Sequence, residues 1–328
     1  MFCKPIAYWH KATTTFQGVQ TVNIQEEVKK YLHTCQFQKK LNAKTIKAYS
    51  IDLKQFLTYL STTKGQNLSK ANIATYMQDL HKQYRPQTVK RKLASLRAFC
   101  NYLEFEEILE PSPIRKIKIK FQEPKVLPRT IPLKTIECIL ATAHLEIKFA
   151  QTPFGIFAAL RDATMLELLF ATGMRISELC SLAPKNIDLE HGTIKIMGKG
   201  SKERILQIGN QEVLAILRKY AKLDTFSPSQ SGYFFINRQG GRMSEQSVRF
   251  MLRKLQKQAG ISMHITPHMF RHSFATLLLE EDVGIRYIQQ MLGHSSIQTT
   301  QIYTQVTTEK QKQILTTKHP RNKMTVES

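Results

Sequence analysis

Apolar residues recur at helical spacing through the first third of the chain. Over residues 41–60 they stand three or four positions apart, so they share one face of a helix. The same spacing returns in a shorter helix that begins after Ser69, a residue type favoured as an N-cap, and in a helix over residues 87–103. The pattern therefore predicts a small helical domain over residues 21–110, preceded by an N-terminal extension over residues 1–20.

Prolines and basic residues separate this helical region from the rest of the chain. Pro111 and Pro113 cannot continue a helix, and the alternating basic segment after them is expected to form an extended linker over residues 111–131. A second domain, predicted over residues 132–306, combines helices with a small antiparallel sheet, and residues 307–328 form a polar tail. Its predicted elements are helices over residues 135–144, 156–172, 176–182, 212–222 and 244–260, a three-stranded meander over residues 187–189, 193–197 and 204–208, a short strand over residues 233–236, and a surface insertion over residues 145–155.

The chain carries a large excess of positive charge. Its 48 Lys and Arg against 25 Asp and Glu give a formal net charge of +23, and the sequence pI is about 9.8. Residues 1–130 hold 23 basic and 9 acidic side chains and the remainder holds 25 and 16, so both halves are basic. This balance favours a polyanionic partner, because Lys and Arg side chains release counterions from nucleic acid when they bind it.

The composition argues against several other classes of protein. The five cysteines form no Cys-x-x-Cys pair, so neither a zinc site nor a disulfide framework is predicted. No apolar run is long enough for a membrane span, the N-terminus lacks the apolar core of a signal peptide, and no Gly-x-x-x-x-Gly-Lys-Ser/Thr segment is present to bind ATP. We therefore expect a cytoplasmic, nucleoid-associated protein that uses no metal and no cofactor.

The residues with the strongest chemical character lie near the C-terminus. His268 and Arg271 stand three apart and would share a face of one helix. Gly293 follows an apolar run and predicts a helix end, which leaves His294 on the turn beyond it, with Tyr303 a short polar segment later. A guanidinium presents a fork of donors that matches phosphate oxygens, and nearby positive charge lowers the pKa of a phenol from its usual value of about 10. The cluster therefore indicates attack of a tyrosine on a phosphate diester.

This stretch resembles the catalytic box of the tyrosine recombinases, also called the phage integrase family. That family's pattern is His-x-x-Arg, then Leu-Gly-His, then a tyrosine nine residues on, and residues 268–271 and 292–303 meet it. The family also requires an arginine in a Thr-Gly-x-Arg-x-Ser-Glu-Leu segment, which Arg175 supplies, and a lysine in a β-hairpin turn, which Lys199 matches. The four motifs occur in the family's order over the second half of the chain, which makes the resemblance highly specific.

The N-terminal helices also resemble that family, whose core-binding domain is a small SAM-like helical bundle. Thr45 and Tyr49 fit its Thr-x-x-x-Tyr segment, and residues 88–99 fit its Thr-x-x-Arg/Lys-x-Leu-x-x-Leu-Arg-x-Phe segment. The resemblance thus implies a mainly α fold with a small β-sheet, in which a helical core-DNA-binding domain precedes an α+β catalytic domain. It also implies that the tail over residues 307–328 contacts a neighbouring protomer.

The reaction that the resemblance implies is a metal-free transesterification. Tyr303 would attack a backbone phosphate and expel a deoxyribose 5′-hydroxyl, which leaves a 3′-phosphotyrosyl bond and conserves the phosphodiester energy. Lys199 would protonate the leaving oxygen. Arg175 and Arg271 would hold the nonbridging oxygens and stabilise the charge of the transition state.

Histidines and a glutamate complete the implied site. His268 is suited to accept or return the tyrosine proton, and His294 would donate to a phosphate oxygen. His272 is expected to have a structural role. Glu178, three residues after Arg175, is expected to orient a neighbour rather than to react.

Further basic residues are candidates for contact with the DNA backbone. The charges at positions 90–92 and 97 are predicted to lie away from the apolar face of their helix, where a solvated surface remains the alternative. Others lie in the linker or near the hairpin turn. The candidates are Lys90, Arg91, Arg97, Lys118, Lys120, Lys202 and Arg204.

Together these features predict a site-specific recombinase that acts on double-stranded DNA recombination sites. We expect a homo-tetramer on DNA, or a hetero-tetramer with a paralogue. Integration or excision of a mobile element and Xer-like resolution both stay open. One alternative is a type IB topoisomerase-like or telomere-resolving enzyme, against which the compact order and the Leu-Gly-His segment argue. The other is a non-catalytic DNA-binding protein, against which the complete set of matched residues argues.

Overall fold

The chain divides into two compact units, over residues 1–125 and 126–328. The structure is a computed structural model, and it describes residues 14–16, 19–62, 68–109, 111–115, 117, 129–197, 203–223 and 232–293. The division falls inside the predicted linker. The finer domain boundaries stay predictions, and much of the extension, the linker and the whole tail over 307–328 lie outside the described residues.

In the described residues, the first unit contains a bundle of four helices and a two-stranded antiparallel sheet. Local signals fix several helix starts: the Asn23 carboxamide oxygen accepts from the backbone N–H of Gln25 and Glu26, and the Ser69 hydroxyl accepts from that of Asn72. The elements are β1 Thr14–Phe16, β2 Val19–Val22, α1 Ile24–Phe37, α2 Ala43–Thr62, α3 Lys70–Gln83 and α4 Pro86–Phe105.

A buried ionic cluster lies between α2 and α4. The side chain of Lys92 is 3% exposed, and its ammonium group donates to the Asp52 carboxylate at 3.3 Å. Arg91 binds the other Asp52 oxygen, and the buried Ser95 hydroxyl also contacts it at 3.3 Å. The prediction that Lys92 lies on an outer face of α4 is therefore wrong. A buried acid on the neighbouring helix turns it inward, because a buried charge requires an opposite charge.

The second unit packs its helices around α6, which is buried on nearly every side. Gly173 ends this helix in a left-handed conformation, with φ of +59°. The small sheet is the predicted antiparallel meander, in the order β3–β4–β5, and its register pairs Ile194 with Leu206. The elements are α5 Leu133–Phe149, α6 Pro153–Thr172, α7 Ile176–Cys180, a 3₁₀ helix Pro184–Asn186, β3 Ile187–Asp188, β4 Thr193–Met197, β5 Glu203–Gln207, α8 Gln211–Ala221, α9 Glu245–Gln258, α10 Pro267–Glu280 and α11 Ile285–Leu292.

Two local predictions in this unit were wrong. The predicted helix bounds on either side of the segment 145–155 are wrong: α5 continues to Phe149, and α6 starts at Pro153, where the Thr152 hydroxyl caps it by accepting from the backbone N–H of Gly155 at 3.0 Å. That the segment is an insertion stays a prediction. The predicted strand over residues 233–236 makes only an isolated bridge between Ile236 and Arg242, because the chain turns back at once. None of the described helices is long and apolar enough to cross a membrane.

Candidate active site

Arg175, the first of the predicted catalytic residues, lies just after the end of α6. After the left-handed Gly173 the chain turns sharply, and Arg175, in extended conformation, precedes α7. The Glu178 carboxylate accepts the backbone N–H of Arg175 at 2.7 Å, which holds the start of α7. The Arg175 side chain is 40% exposed, so its guanidinium can reach a ligand from solvent.

Only glycine fits at position 173. A Cβ built there would lie 2.6 Å from Cδ1 of Phe274 on α10 and 2.9 Å from Cδ2 of Leu292 on α11. The end of α6 therefore touches both helices that carry the C-terminal motif. This close approach brings Arg175 and Arg271, which are far apart in the sequence, to one place.

Arg271 is the best buried of the predicted catalytic side chains within the described residues. It is 2% exposed, and its guanidinium donates to two backbone carbonyls, Gly173 O at 2.7 Å and Leu292 O at 2.5 Å. Both carbonyls stand at helix C-termini, where unpaired C=O groups carry partial negative charge and favour a cation. The protein thus fixes the position of this guanidinium.

Arg175 reaches the same helix end as Arg271. Helix α11 ends at Gly293 in a left-handed conformation, with φ of +63°, and NH2 of Arg175 lies 3.5 Å from Gly293 O. The two arginines therefore meet on the consecutive carbonyls of Leu292 and Gly293. The next residue in the chain is His294.

Glu178 binds two arginines at once. Its Oε1 accepts from NH1 of Arg175 at 2.9 Å and from NH1 of Arg204 at 2.9 Å, and its Oε2 accepts from NH2 of Arg204 at 2.8 Å. Burial by itself would raise the pKa of Glu178, but the hydrogen bonds from Arg204 and Arg175 outweigh it, and the pKa lies below its ordinary value. Glu178 is therefore ionised at neutral pH and orients its neighbours.

His268 and His272 lie one turn apart on α10, with ring centroids 4.4 Å apart in an edge-to-face arrangement. Although the His268 side chain is exposed, neighbouring atoms withdraw part of the ring from water. This desolvation, and then the charges of Arg271 and Arg175, lower the pKa of His268 below 6.5. Burial, followed by His268 and Arg271, lowers the pKa of His272 to about 4. Both rings are therefore neutral at pH 7, and a neutral imidazole can accept a proton.

The structure brings only some of the predicted residues together. Arg175, His268 and Arg271 lie at one site, and Arg204 joins them through Glu178. On α4 of the first unit, Lys90, Arg91 and Arg97 are exposed, and Arg91 is also paired with Asp52. Six predicted residues lie outside the described residues: Lys118, Lys120, Lys199, Lys202, His294 and Tyr303.

Sequence reasoning missed the pairing of Glu178 with Arg204. The two residues are 26 positions apart, and a charged residue on a short strand gives no local sign of an ionic partner. Within the described part of the chain, no group of three or more His, Cys, Asp or Glu side chains is placed to hold a metal ion.

The chain matches two family models. Residues 147–310 match the model described as the phage integrase family, and residues 28–107 match the phage integrase N-terminal SAM-like domain. A tyrosine recombinase of Agathobacter rectalis is 50% identical over 300 residues, which cover 91% of this chain and 98% of that protein. Tyrosine recombinase XerD of Listeria monocytogenes is 35% identical over 305 residues, which cover 90% of this chain and 98% of that protein.

Solved structures share the fold. A XerH site-specific recombinase bound to a palindromic difH substrate, in a post-cleavage complex, matches with a TM-score of 0.70 and 23% identity. The match covers 88% of this chain and 83% of that one. It spans a helical N-terminal part and a mixed C-terminal part, in agreement with the predicted fold class.

Proposed function

The chain belongs to the phage integrase family and is a tyrosine-type site-specific DNA recombinase, and from this premise we propose that it cuts and rejoins DNA at the end of α11. One observation carries the proposal: Arg175 and Arg271 meet on the carbonyls of Leu292 and Gly293, directly before His294. Two guanidiniums held at one point form a receptor for a phosphate group.

The proposed reaction is an exchange of one phosphodiester for another. The phenol oxygen of Tyr303 attacks a backbone phosphorus, and the bond from phosphorus to the deoxyribose 5′-oxygen breaks. Lys199 gives a proton to the departing 5′-oxygen, and a 3′-phosphotyrosyl bond remains. Attack by a 5′-hydroxyl of the partner strand reverses the step and releases Tyr303, so the bond energy is conserved without a nucleotide cofactor.

The described residues are suited to the charge that develops in this step. Arg271 is held by two carbonyls and offers a fixed positive charge, while the exposed Arg175 can contact a nonbridging oxygen directly. His268 is neutral at pH 7 because its pKa is lowered, so it can accept the Tyr303 proton. His294 is proposed to donate to the second nonbridging oxygen.

The proposed substrate is double-stranded DNA carrying recombination sites. The net charge of +23 supports this partner, and the exposed Lys90 and Arg97 on α4 are proposed backbone contacts. Arg91, Lys118, Lys120 and Lys202 are proposed to add to them. We propose a tetramer on DNA, formed by four copies or with a paralogue through the tail over 307–328, because two duplexes must be cut in one complex.

A single substitution tests the chemistry. Tyr303→Phe removes only the proposed nucleophilic oxygen, so the variant is expected to bind DNA with unchanged affinity and to form no covalent adduct. The measurement is a denaturing gel of protein incubated with a nicked suicide substrate, whose cut fragment diffuses away. Tyr233→Phe, the same change elsewhere in the second unit, is the control and is expected to retain the adduct. An adduct that persists in Tyr303→Phe contradicts the assignment.

A further inference from the structure

We propose that Arg204 is a positioning residue of the recombinase site, which acts through Glu178 and Gly293, and that it is not a phosphate contact. The inference rests on the proposed function, since it assigns a task within that reaction. It replaces the expectation, drawn from the sequence, that Arg204 lies along the DNA backbone.

The first support is the fork of hydrogen bonds between Arg204 and Glu178. NH1 and NH2 of Arg204 donate to the two carboxylate oxygens at 2.9 and 2.8 Å, and the Arg204 side chain is only 13% exposed. The Nε atom is buried as well. The guanidinium is thus turned toward the protein and its charge is balanced by the Glu178 carboxylate, whereas the two backbone carbonyls that Arg271 contacts carry no full charge and leave its positive charge available to a phosphate.

The second support is the effect of this fork on Arg175. Glu178 also accepts from NH1 and from the backbone N–H of Arg175, so the two arginines supply four hydrogen bonds, about the capacity of one carboxylate. Arg204 holds the Glu178 carboxylate in the plane of its own guanidinium, and in this orientation one carboxylate oxygen accepts from the Arg175 side chain. Without Arg204 the carboxylate is free to turn and take both terminal nitrogens of Arg175, which would draw that guanidinium away from the phosphate.

The third support is the contact between Arg204 and Gly293. A Cβ built on Gly293 would lie 2.8 Å from Cδ, 3.0 Å from NH1 and 3.1 Å from Cζ of Arg204. The Arg204 side chain therefore lies directly against the left-handed residue that ends α11 and precedes His294. Gly293 is required here both by its backbone conformation and by the close approach of Arg204.

One side chain thus joins three segments of the site. Arg204 belongs to β5, which begins directly after residues 198–202, the segment that contains Lys199. Through Glu178 it reaches α7 and Arg175, and through Gly293 it reaches the turn that leads to His294. The planar fork matters, because a lysine in this place keeps the charge but cannot hold two carboxylate oxygens in one plane.

The test compares Arg204→Gln and Arg204→Lys in the full chain. Three quantities are measured: affinity for a recombination-site duplex as a function of salt, the single-turnover rate of adduct formation on the suicide substrate, and the thermal unfolding midpoint. Arg218→Gln is the matched control. Arg218 is a half-buried arginine in the same unit, and it donates from Nε and NH2 to Leu189 O at 3.2 and 2.8 Å.

A positioning role predicts a specific combination of results. Both Arg204 variants are expected to form the adduct about 10- to 100-fold more slowly. Losses of this size are usual when a residue that supports an active-site side chain is removed or when a reacting group is displaced by about 1 Å. The affinity of the Arg204 variants for DNA and the salt dependence of that affinity are expected to stay unchanged. The control Arg218→Gln is expected to lose a similar amount of thermal stability and to form the adduct at the wild-type rate. A third variant, Arg204→Ala, is used in case the other two fold poorly. Methylguanidinium replaces the missing guanidinium in this variant and is expected to restore part of the rate of adduct formation.

Other outcomes overturn the inference. Weaker binding with a salt slope shallower by about one charge, restored in Arg204→Lys, would identify a phosphate contact. An unchanged rate of adduct formation in both variants, or an equal loss in Arg218→Gln, would also refute a positioning role. If wild-type protein itself forms no adduct, the proposed function fails, and that result is distinct from any outcome that concerns Arg204 alone.

Discussion

The close packing at Gly173 leads to the most direct structural prediction. Gly173→Ala places a methyl group 2.6 Å from Cδ1 of Phe274 and 2.9 Å from Cδ2 of Leu292, at a residue with φ of +59°. The side chains of Phe274 and Leu292, or the helices α10 and α11 that carry them, must shift to admit it. Because Gly173 O and Leu292 O both accept from Arg271, we expect this shift to disturb the guanidinium as well.

The size of the effect follows from two costs. A left-handed conformation costs a residue with a Cβ about 1–2 kcal/mol, partly offset by about 0.4–1 kcal/mol from the stiffer unfolded chain. Overpacking adds about 1–3 kcal/mol. Gly260 is also left-handed just after a helix, but a Cβ built there meets no atom within 4 Å. A substitution at Gly260 therefore measures the conformational cost without the cost of overpacking. Gly260→Ala is therefore expected to bear the first cost alone, and Gly173→Ala both.

The assay is thermal unfolding of the two full-length variants, together with adduct formation on the suicide substrate. For a unit of about 200 residues, 1 kcal/mol shifts the midpoint by about 2–4 °C, so Gly173→Ala is expected to unfold at a midpoint about 2–12 °C below Gly260→Ala. It is also expected to form the adduct more slowly at temperatures where both variants are folded. Equal midpoints in the two variants would refute the packing argument, and a wild-type rate in Gly173→Ala would refute its link to Arg271.

Two further substitutions test the contacts around the site. Glu178→Gln is expected to destabilise the protein by about 3 kcal/mol at pH 7, because two guanidiniums lose a buried carboxylate. The pKa of Glu178 is lower in the folded than in the unfolded protein, so the ionised side chain stabilises the fold at pH values above the unfolded pKa, near 4.5. This stabilisation is lost as the pH falls through the folded pKa, and urea unfolding curves of variant and wild type should therefore converge on acidification. A difference in unfolding free energy that stays constant with pH would contradict this. Ser273→Ala leaves the buried N–H of Ile131 without its acceptor at 2.7 Å, and urea unfolding is expected to show a loss of about 1–3 kcal/mol; no loss would mean that another acceptor replaces the hydroxyl.

Periodicity and local chemistry were sufficient for most of the architecture. The apolar spacing over residues 41–60 and 87–103 predicted α2 and α4, since the 3.6-residue period is a property of the local chain. Ser69 and Gly173 marked a helix start and a helix end because caps depend on neighbouring backbone groups. The motifs around Arg175, His268 and Arg271 indicated the family, because residue types and their spacing can be read directly from the sequence.

The sequence by itself determined most of the elements, the excess of positive charge and the types of residue that carry the chemistry. Only the tertiary structure decided what each cation faces. It turned Lys92 inward onto Asp52, buried Arg271 between two helix ends, and set Arg204 on Glu178. Those partners lie 21 to 98 residues away along the chain. An ionic group's environment depends on which carbonyls and carboxylates the fold brings near it, because electrostatic free energy is set by distance and burial and not by sequence spacing.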